Sequence, residues 1–551
     1  MKYFFLLALC CCPFLTFAQD NNPGTIQGDF NLNVQTYYED STINAVAVDE
    51  FMLMNGYANI LFNKGNFTAG VRYENYSNAL LGFNADYNGH GIPYRFAQYT
   101  IHGLDITVGN FYEQFGNGLI FRSYEERNLG IDNVMDGFRL KYLPLRGLIL
   151  KGFIAKQRLF WEHGPGIVRG IDGELNLNQA ITFLKSSKTN AVIGGSFVSR
   201  FQEDNNPVYN LPKNVAAYAL RTSINRGKIS FNSEYAYKYN DPKGGIASNN
   251  YAPGMALTSH LSYSQRGLGI LLEAHRVDNM DYRSKRGASL NDLTLSYIPA
   301  ISKQHVYTLA AFYPFATQPM GELGFQGQIN YTFKKKSKIG GKYGTQVALN
   351  YSRINGLNGG HSVLTESRSH TPIFFSIKGE DLYFRDFNVD VKKKISKKVK
   401  IMANYVDLIY NKDVIEGKNN GKDVHARIGI MEVNYKIKPK HTIRSEFQYL
   451  NVDKKDTYFQ DQGDWLMGLV EYTISPHWFF AIMDQYNGGY TSESKRYDAV
   501  HYLNLSCGYS KGTNRFELGY GKKRAGIFCV GGVCREVPSS NGFTLSITSS
   551  F

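Results

Sequence analysis

From about residue 28 to the last residue the chain alternates apolar and polar positions with a period of two, the pattern of strands with two unlike faces. Phe325, Gly327, Ile329, Tyr331 and Phe333 share one face, and Glu322, Gly324, Gln326, Gln328, Asn330 and Thr332 the other. Phe231, Ser233, Tyr235, Tyr237 and Tyr239 alternate in the same way with Ser230, Asn232, Glu234 and Lys238. Short connections such as Asn63-Lys64-Gly65, Asn225-Arg226-Gly227, Gln265-Arg266-Gly267 and Lys511-Gly512-Thr513-Asn514 join many of these runs. Longer irregular stretches take turns with them: 77–93, 114–136, 202–212, 356–379, 411–422 and 524–541. Alternating short turns and long loops are a property of outer-membrane barrels, and a soluble sandwich has no reason to sustain it. The expectation is an all-β, transmembrane antiparallel β-barrel of about 26 strands (range 24–26) in a single chain. The uncertainty in the count lies in Ala180–Lys188 and Leu290–Phe315.

The 551 residues contain 54 Gly, 39 Tyr and 36 Phe. No linker or change of composition divides them, so the length asks for one object. Dividing the chain beyond its first 18 residues by 26 leaves roughly 20 residues per strand, enough for the 9–11 that cross a bilayer plus half of each connection. Aromatic abundance fits an outward apolar face with rings at the two interfaces, and polar partners are expected to line the inside. The last run, Gly542–Phe551, turns Phe543, Leu545, Ile547 and Phe551 one way and ends on an aromatic. It resembles the terminal signal read by barrel-assembly machinery, which makes Phe551 the expected assembly signal.

Met1-Lys2, the apolar run Tyr3–Phe17 and Ala18 before Gln19 read as a secretory signal. The expected organisation is therefore a signal peptide at 1–18, a short segment at 19–27 and a barrel with long extracellular loops from 28 to 551, in the outer membrane of a Gram-negative bacterium. The formal charge of +14 becomes +13 without Lys2. Such a balance raises nucleic acid as a partner, yet no recognition helix, zinc motif or stacking-aromatic RNA motif accompanies it. Lys334–Lys336, Lys392–Lys394 and Lys397-Lys398 fall between strand-like runs, as solvated turns do. Expected partners are outer-membrane lipid, the assembly machinery and other envelope proteins, with no nucleic acid.

Candidate chemistry is sparse. Cys529 and Cys534 flank Val530-Gly531-Gly532-Val533, which favours a disulfide in an oxidising compartment; zinc would need a second Cys/His pair, and none is nearby. The 12 His show no metal spacing and no nucleophile elbow occurs, so neither an enzyme nor a cofactor is expected. A barrel this wide needs something inside it, and two stretches stand out. Gly-punctuated 111–133 carries Glu113, Arg122, Glu125, Glu126, Arg127 and Asp132. These are either facing charges that set selectivity in a constriction or a structural loop paired with itself. Tyr313-Pro314-Phe315 through Pro319 and Glu322 is an inward wedge or a capped hairpin.

Three motifs carry a family resemblance: Phe111–Asn133; Tyr297-Ile298-Pro299 with Gln304-His305 and Tyr313–Gln318; and Gly526–Arg535. With these, the chain resembles a family of large outer-membrane barrels of unknown function from Bacteroidota. The resemblance implies the fold and compartment and transfers no catalytic or ligand residue. Two functions follow as expectations: a porin-like channel narrowed by inward loops, or a scaffold subunit of an envelope complex for secretion or barrel assembly.

Overall fold

A computed structural model describes residues 23–204, 210–242, 252–357, 381–417, 423–455, 458–459, 461–491 and 496–551. The signal segment and most of 356–379 lie outside the described residues. Twenty-four antiparallel strands form one sheet, and the first, Thr25–Gln35, pairs with the last, Ser540–Ser550. The sheet is therefore a closed barrel. The count falls at the lower end of the expected range because both ambiguous stretches are connections: 177–188 holds a short α-helix, Leu177–Ala180, and a 3-10 turn, Thr182–Leu184, and 279–320 is a loop.

Closure is tightest at the chain end. Gly28 N–H donates to the Phe551 carbonyl (3.0 Å) and Phe551 N–H returns the bond to Gly28 (2.9 Å), while the Phe551 ring covers the Gly28 backbone. Strand Thr25–Gln35 begins at Thr25 rather than Gly28. Eleven short connections gather at one end of the barrel and twelve at the other, where lengths reach 42 residues in 279–320.

Each of the three prolines inside barrel strands marks an irregularity. Pro93, Pro144 and Pro165 fall where the register shifts, opposite Arg72/Glu74, between Tyr142 and Leu145, and between His163 and Ile167. Proline has no ladder donor, so a bulge is where the sheet tolerates it.

Outward positions are apolar as the alternation requires. Ile60, Leu220, Leu272, Leu349, Tyr405, Ile482, Leu505 and Leu518 are all exposed. Inward positions divide by height. Near the short turns they are polar: Asn31 donates to Thr548 (3.2 Å), and Arg221 pairs with Asp172 (2.8 Å). Near the long loops they become apolar and small, as at Val198, Val215, Ala217, Ala236, Ala256, Val277, Val406, Ala426 and Ile428. Polar partners of the alternation were expected to line the inside; these positions are apolar because loop side chains cover them.

An arginine facing lipid is costly, whereas one facing the lumen is not. Leu349→Arg on the outer face should therefore destabilise by about 2–4 kcal/mol. Asn330→Arg, which sits at the same height on the inner face opposite Ala348, should stay within about 0.5 kcal/mol. Urea unfolding in liposomes measures both.

Candidate functional site: the loops against the inner wall

Loop 112–134 follows strand Leu104–Phe111, whose Phe111 already joins the inner apolar layer. The chain then turns on Gly116, which is in the left-handed region (φ 53°), with the Glu234 carboxylate against its α-carbon. No side chain fits there. Asn117 N–H donates to Glu234 Oε2 (2.6 Å), so a wall carboxylate holds the turn. Phe115, Leu119, Ile120 and Phe121 are fully buried beyond it, packed with Phe153, Val168, Ala217 and Ala236 of the wall.

All six sequence-predicted charges are engaged with neighbours. Glu113 lies between Arg139 (2.8 Å) and Lys151 (2.8 Å). Burial alone would raise its carboxyl, and Lys151 with Arg139 overrides burial and holds it below the usual range. Arg122 is sandwiched between the rings of Tyr124 (4.5 Å) and Tyr297 (3.9 Å). Glu126 caps a single 3-10 turn by accepting from Asn128 N–H (3.2 Å). Glu125, Arg127 and Asp132 meet three residues of the wall: Arg72 bonds Glu125 (2.9 Å), Glu74 (2.7 Å) and Asp132, and Arg158 bonds Glu74 (2.7 Å) and Asp132 (2.6 Å). With Arg127 on Glu125 (2.7 Å), three guanidinium groups balance three carboxylates. Tyr112 joins by donating to Asp132 (2.8 Å), and burial pushes its hydroxyl well above the usual value.

Loop 279–320 enters and leaves at one point, with Met280 N–H donating to the Pro319 carbonyl (2.8 Å). Its first half packs on the same apolar layer as loop 112–134: Met280, Tyr282, Leu295 and Ile298 are buried there, and Tyr282 Oη donates to the Val215 carbonyl (2.9 Å). The second half runs on to the next arc of the wall, beyond strand Gly321–Phe333. Ile301, Tyr307, Leu309, Ala310, Tyr313 and Phe315 are buried against Ile354, Phe384, Leu408, Ile428, Leu450 and Trp465. Polar bonds fix this half too: His305 to Asp386 (2.7 Å), Lys303 to Asn388 (2.8 Å), Tyr307 to Glu432 (3.2 Å), and Leu309 N–H to Gln448 (2.9 Å). Of the two readings of Tyr313–Glu322, the inward wedge is the one observed.

The loops also hold each other. Arg122 N–H donates to the Leu295 carbonyl (2.8 Å) and Tyr297 N–H to Gly118 (2.9 Å). Cys529 and Cys534 form the expected disulfide across the hairpin Gly526–Val530/Val533–Val537. The tip of that hairpin accepts from Tyr297 Oη at Gly531 (2.8 Å) and from Thr317 N–H at Gly532 (3.2 Å), and its flanks from Asn291 at Cys534 (2.8 Å) and Gln304 at Cys529 (3.1 Å). Gly532 presses on Ala300 and Thr317 in a left-handed conformation (φ 88°), which is why the turn is Gly-Gly.

Arg72, Glu74 and Arg158 were not singled out from the sequence. Their signal was an inward Arg-x-Glu on one strand, 3% and 1% exposed at the side chains, which a reading focused on loop charges passes over. His275 and Asp241 lie apart from this network, each beside partners of its own: His275 pairs with Glu322 (2.6 Å), and Asp241 with Arg200 (2.8 Å) and Arg286 (2.9 Å). Among the described residues no group of three or more His, Cys, Asp or Glu is placed to hold a metal.

A family model matches residues 1–551, and it is described as a family of unknown function, DUF6029. The chain belongs to that family. No curated protein matches the chain. Among solved structures, the copper transporter OprC is similar at 9% identity and a TM-score of 0.42, over 96% of this chain and 80% of that one. A mutant ferric enterobactin receptor, PfeA of Pseudomonas aeruginosa, is similar at 10% and 0.43 over the same shares. The outer membrane protein OpdK of Pseudomonas aeruginosa matches at 10% and 0.33, over 74% of this chain and 98% of that one. Scores of this size lend no support to any activity.

Removing one acid from a buried ionic network leaves its partners charged and unpaired. Asp132→Ala should therefore destabilise the barrel by about 3–5 kcal/mol, read as a lower urea midpoint. Because the Glu113 carboxyl is depressed in the folded protein, its contribution is complete above the unfolded value of about 4.3. It is lost as pH falls through the lower folded value. Stability of the wild type measured from pH 6 to pH 3 should fall in that window, and Glu113→Gln should flatten the fall.

Proposed function

We propose that the chain is a non-enzymatic outer-membrane β-barrel that acts as a porin-like channel narrowed by its own inward loops. Membrane residence is supported by closure together with an outward apolar face, since lipid offers no hydrogen bonds to an open sheet or a polar surface. The long-loop end faces outward from the cell and the short turns face the periplasm, in the usual sense of such barrels. Outer-membrane lipid is then the surrounding partner, and assembly machinery reads the strand that ends on Phe551.

The observation that carries the narrowed lumen is loop 279–320, whose two halves are buried inside the barrel against two successive arcs of the wall. Glu113, Arg122, Glu125, Glu126, Arg127 and Asp132 belong to the layer that narrows it, and their pairing makes that layer rigid. A second reading, a scaffold subunit of an envelope complex, is favoured by the same two apolar clusters, because an interior packed like a core leaves little room for traffic.

Planar-bilayer recordings separate the readings. The channel reading expects small, stable ohmic steps from wild type. Since Met280 and Pro319 are hydrogen-bonded neighbours, residues 283–316 can be replaced by a short Gly-Ser bridge without parting the flanking strands. That variant should conduct several times more. No steps from either protein would overturn the channel reading and favour the scaffold.

A further inference from the structure

Many interior cations meet acids: Arg72, Arg139, Lys151, Arg158 and Lys303 each lie against at least one carboxylate. One region gathers several cations without a matching set of acids. A cavity of about 510 Å³ lies inside the barrel against the first, second and last strands, beneath Leu80–Phe83 and the hairpin that carries the disulfide. Arg127, Lys523, Arg524 and Arg535 reach its lining, and among the described residues no Asp or Glu does.

The four cations differ in how they are held. Arg127 is shared with Glu125. Lys523 makes no ion pair among the described residues. Arg524 donates to a neighbouring carbonyl, Ala525 (3.0 Å), and stands on the Phe312 ring (3.3 Å). Burial pushes its guanidinium down to about 10, against the pull of Tyr313 and Asp461. Arg535 is fixed by the Asn128 carbonyl (2.8 Å) and the Phe83 ring (4.2 Å), yet its Nη1 is buried without a hydrogen-bond acceptor. Leaving such a donor unsatisfied costs about 1–3 kcal/mol, more for a charged group, so an acceptor from outside the chain would be favoured there. The remaining lining is partly apolar, and the volume falls among small-molecule pockets, roughly 300–1,000 Å³.

We propose that this cavity binds a small organic anion, its carboxylate or phosphate head among Lys523, Arg524 and Arg535 and its apolar body against Phe83, Ile527 and Pro538. The inference rests on the reading of a membrane barrel with a narrowed lumen, and it names what that lumen retains.

Equilibrium dialysis of detergent-solubilised full-length protein against 1-naphthyl phosphate and 1-naphthoate tests it, with protein-free micelles as the blank. Saturable binding of at least one of them, about one per chain, is expected, weakened about tenfold or more in Lys523→Gln and in Arg535→Gln. Uncharged 1-naphthol and inorganic phosphate should bind more weakly than the better naphthyl anion, and comparison of the two anions shows which acid head is preferred. Lys523→Gln removes no ion pair among the described residues, so it keeps the test decisive if Arg535→Gln does not fold. Absence of binding by both anions, equal binding of 1-naphthol, or unchanged affinity in Lys523→Gln would overturn the proposal. None of these outcomes depends on conductance, so this inference and the channel reading fail separately.

Discussion

A β-sheet whose outer face meets lipid has to close, because every unpaired N–H and C=O at an edge would go unsatisfied there. At 24 strands, closure itself creates the next constraint. With strands about 4.8 Å apart and tilted near 40°, the barrel is on the order of 45–50 Å across. A wall one residue thick cannot fill that width. The packing of loop 279–320 inside the barrel, against two successive arcs of the wall, answers the constraint, and much of the rest follows from it. Small inward residues at the long-loop end, the Gly-Gly turn of the disulfide hairpin and the ionic network under loop 112–134 are all places where a loop is seated.

Apolar and ionic contacts divide the work. The two buried clusters supply non-directional attraction between loop and wall, which fixes depth but not register. Register comes from hydrogen bonds that have a single solution, such as Tyr282 to the Val215 carbonyl and Leu309 N–H to Gln448. The Arg72–Glu74–Arg158–Asp132 network has the same character. Buried ionic groups are weak sources of stability against an apolar alternative, and this network's neutrality in charge means that its loss is felt mainly when one member is removed. Of the six loop charges, Glu113, Glu125 and Asp132 bond wall cations, so their contacts join loop to wall. Their part in selectivity belongs to the proposal.

Much of the wall was legible in the sequence. Alternation at Phe325–Phe333 and Phe543–Phe551 placed strands that the structure contains, and Asn63-Lys64-Gly65 or Gln265-Arg266-Gly267 marked true hairpins. The interior was less legible, for a physical reason. Period two reports that two faces differ, and it fails where both faces are apolar. At Val215–Leu220 the inward Val215, Ala217 and Ala219 sit beside outward Tyr218 and Leu220, so nothing in that run announces a loop lying on it. Loop 279–320 was ambiguous for the same reason: Tyr307–Phe315 is as apolar as a strand because it is buried by a wall, without joining the sheet. The disulfide was readable from spacing, whereas the docking of its hairpin on Tyr297 and Thr317 required the tertiary structure.

The central claim is that residues of loop 279–320 are buried inside the barrel against its wall. Ala310, 1% exposed within the second apolar cluster, is a position where a cysteine substitutes with little change in volume. Reaction of Ala310→Cys, in a Cys507→Ser background, with a membrane-impermeant maleimide on native protein reports its accessibility directly. The account predicts no labelling until the barrel is unfolded by heat in detergent, followed by complete labelling. Rapid labelling of the folded barrel, at the rate of a solvent-exposed loop, would contradict it.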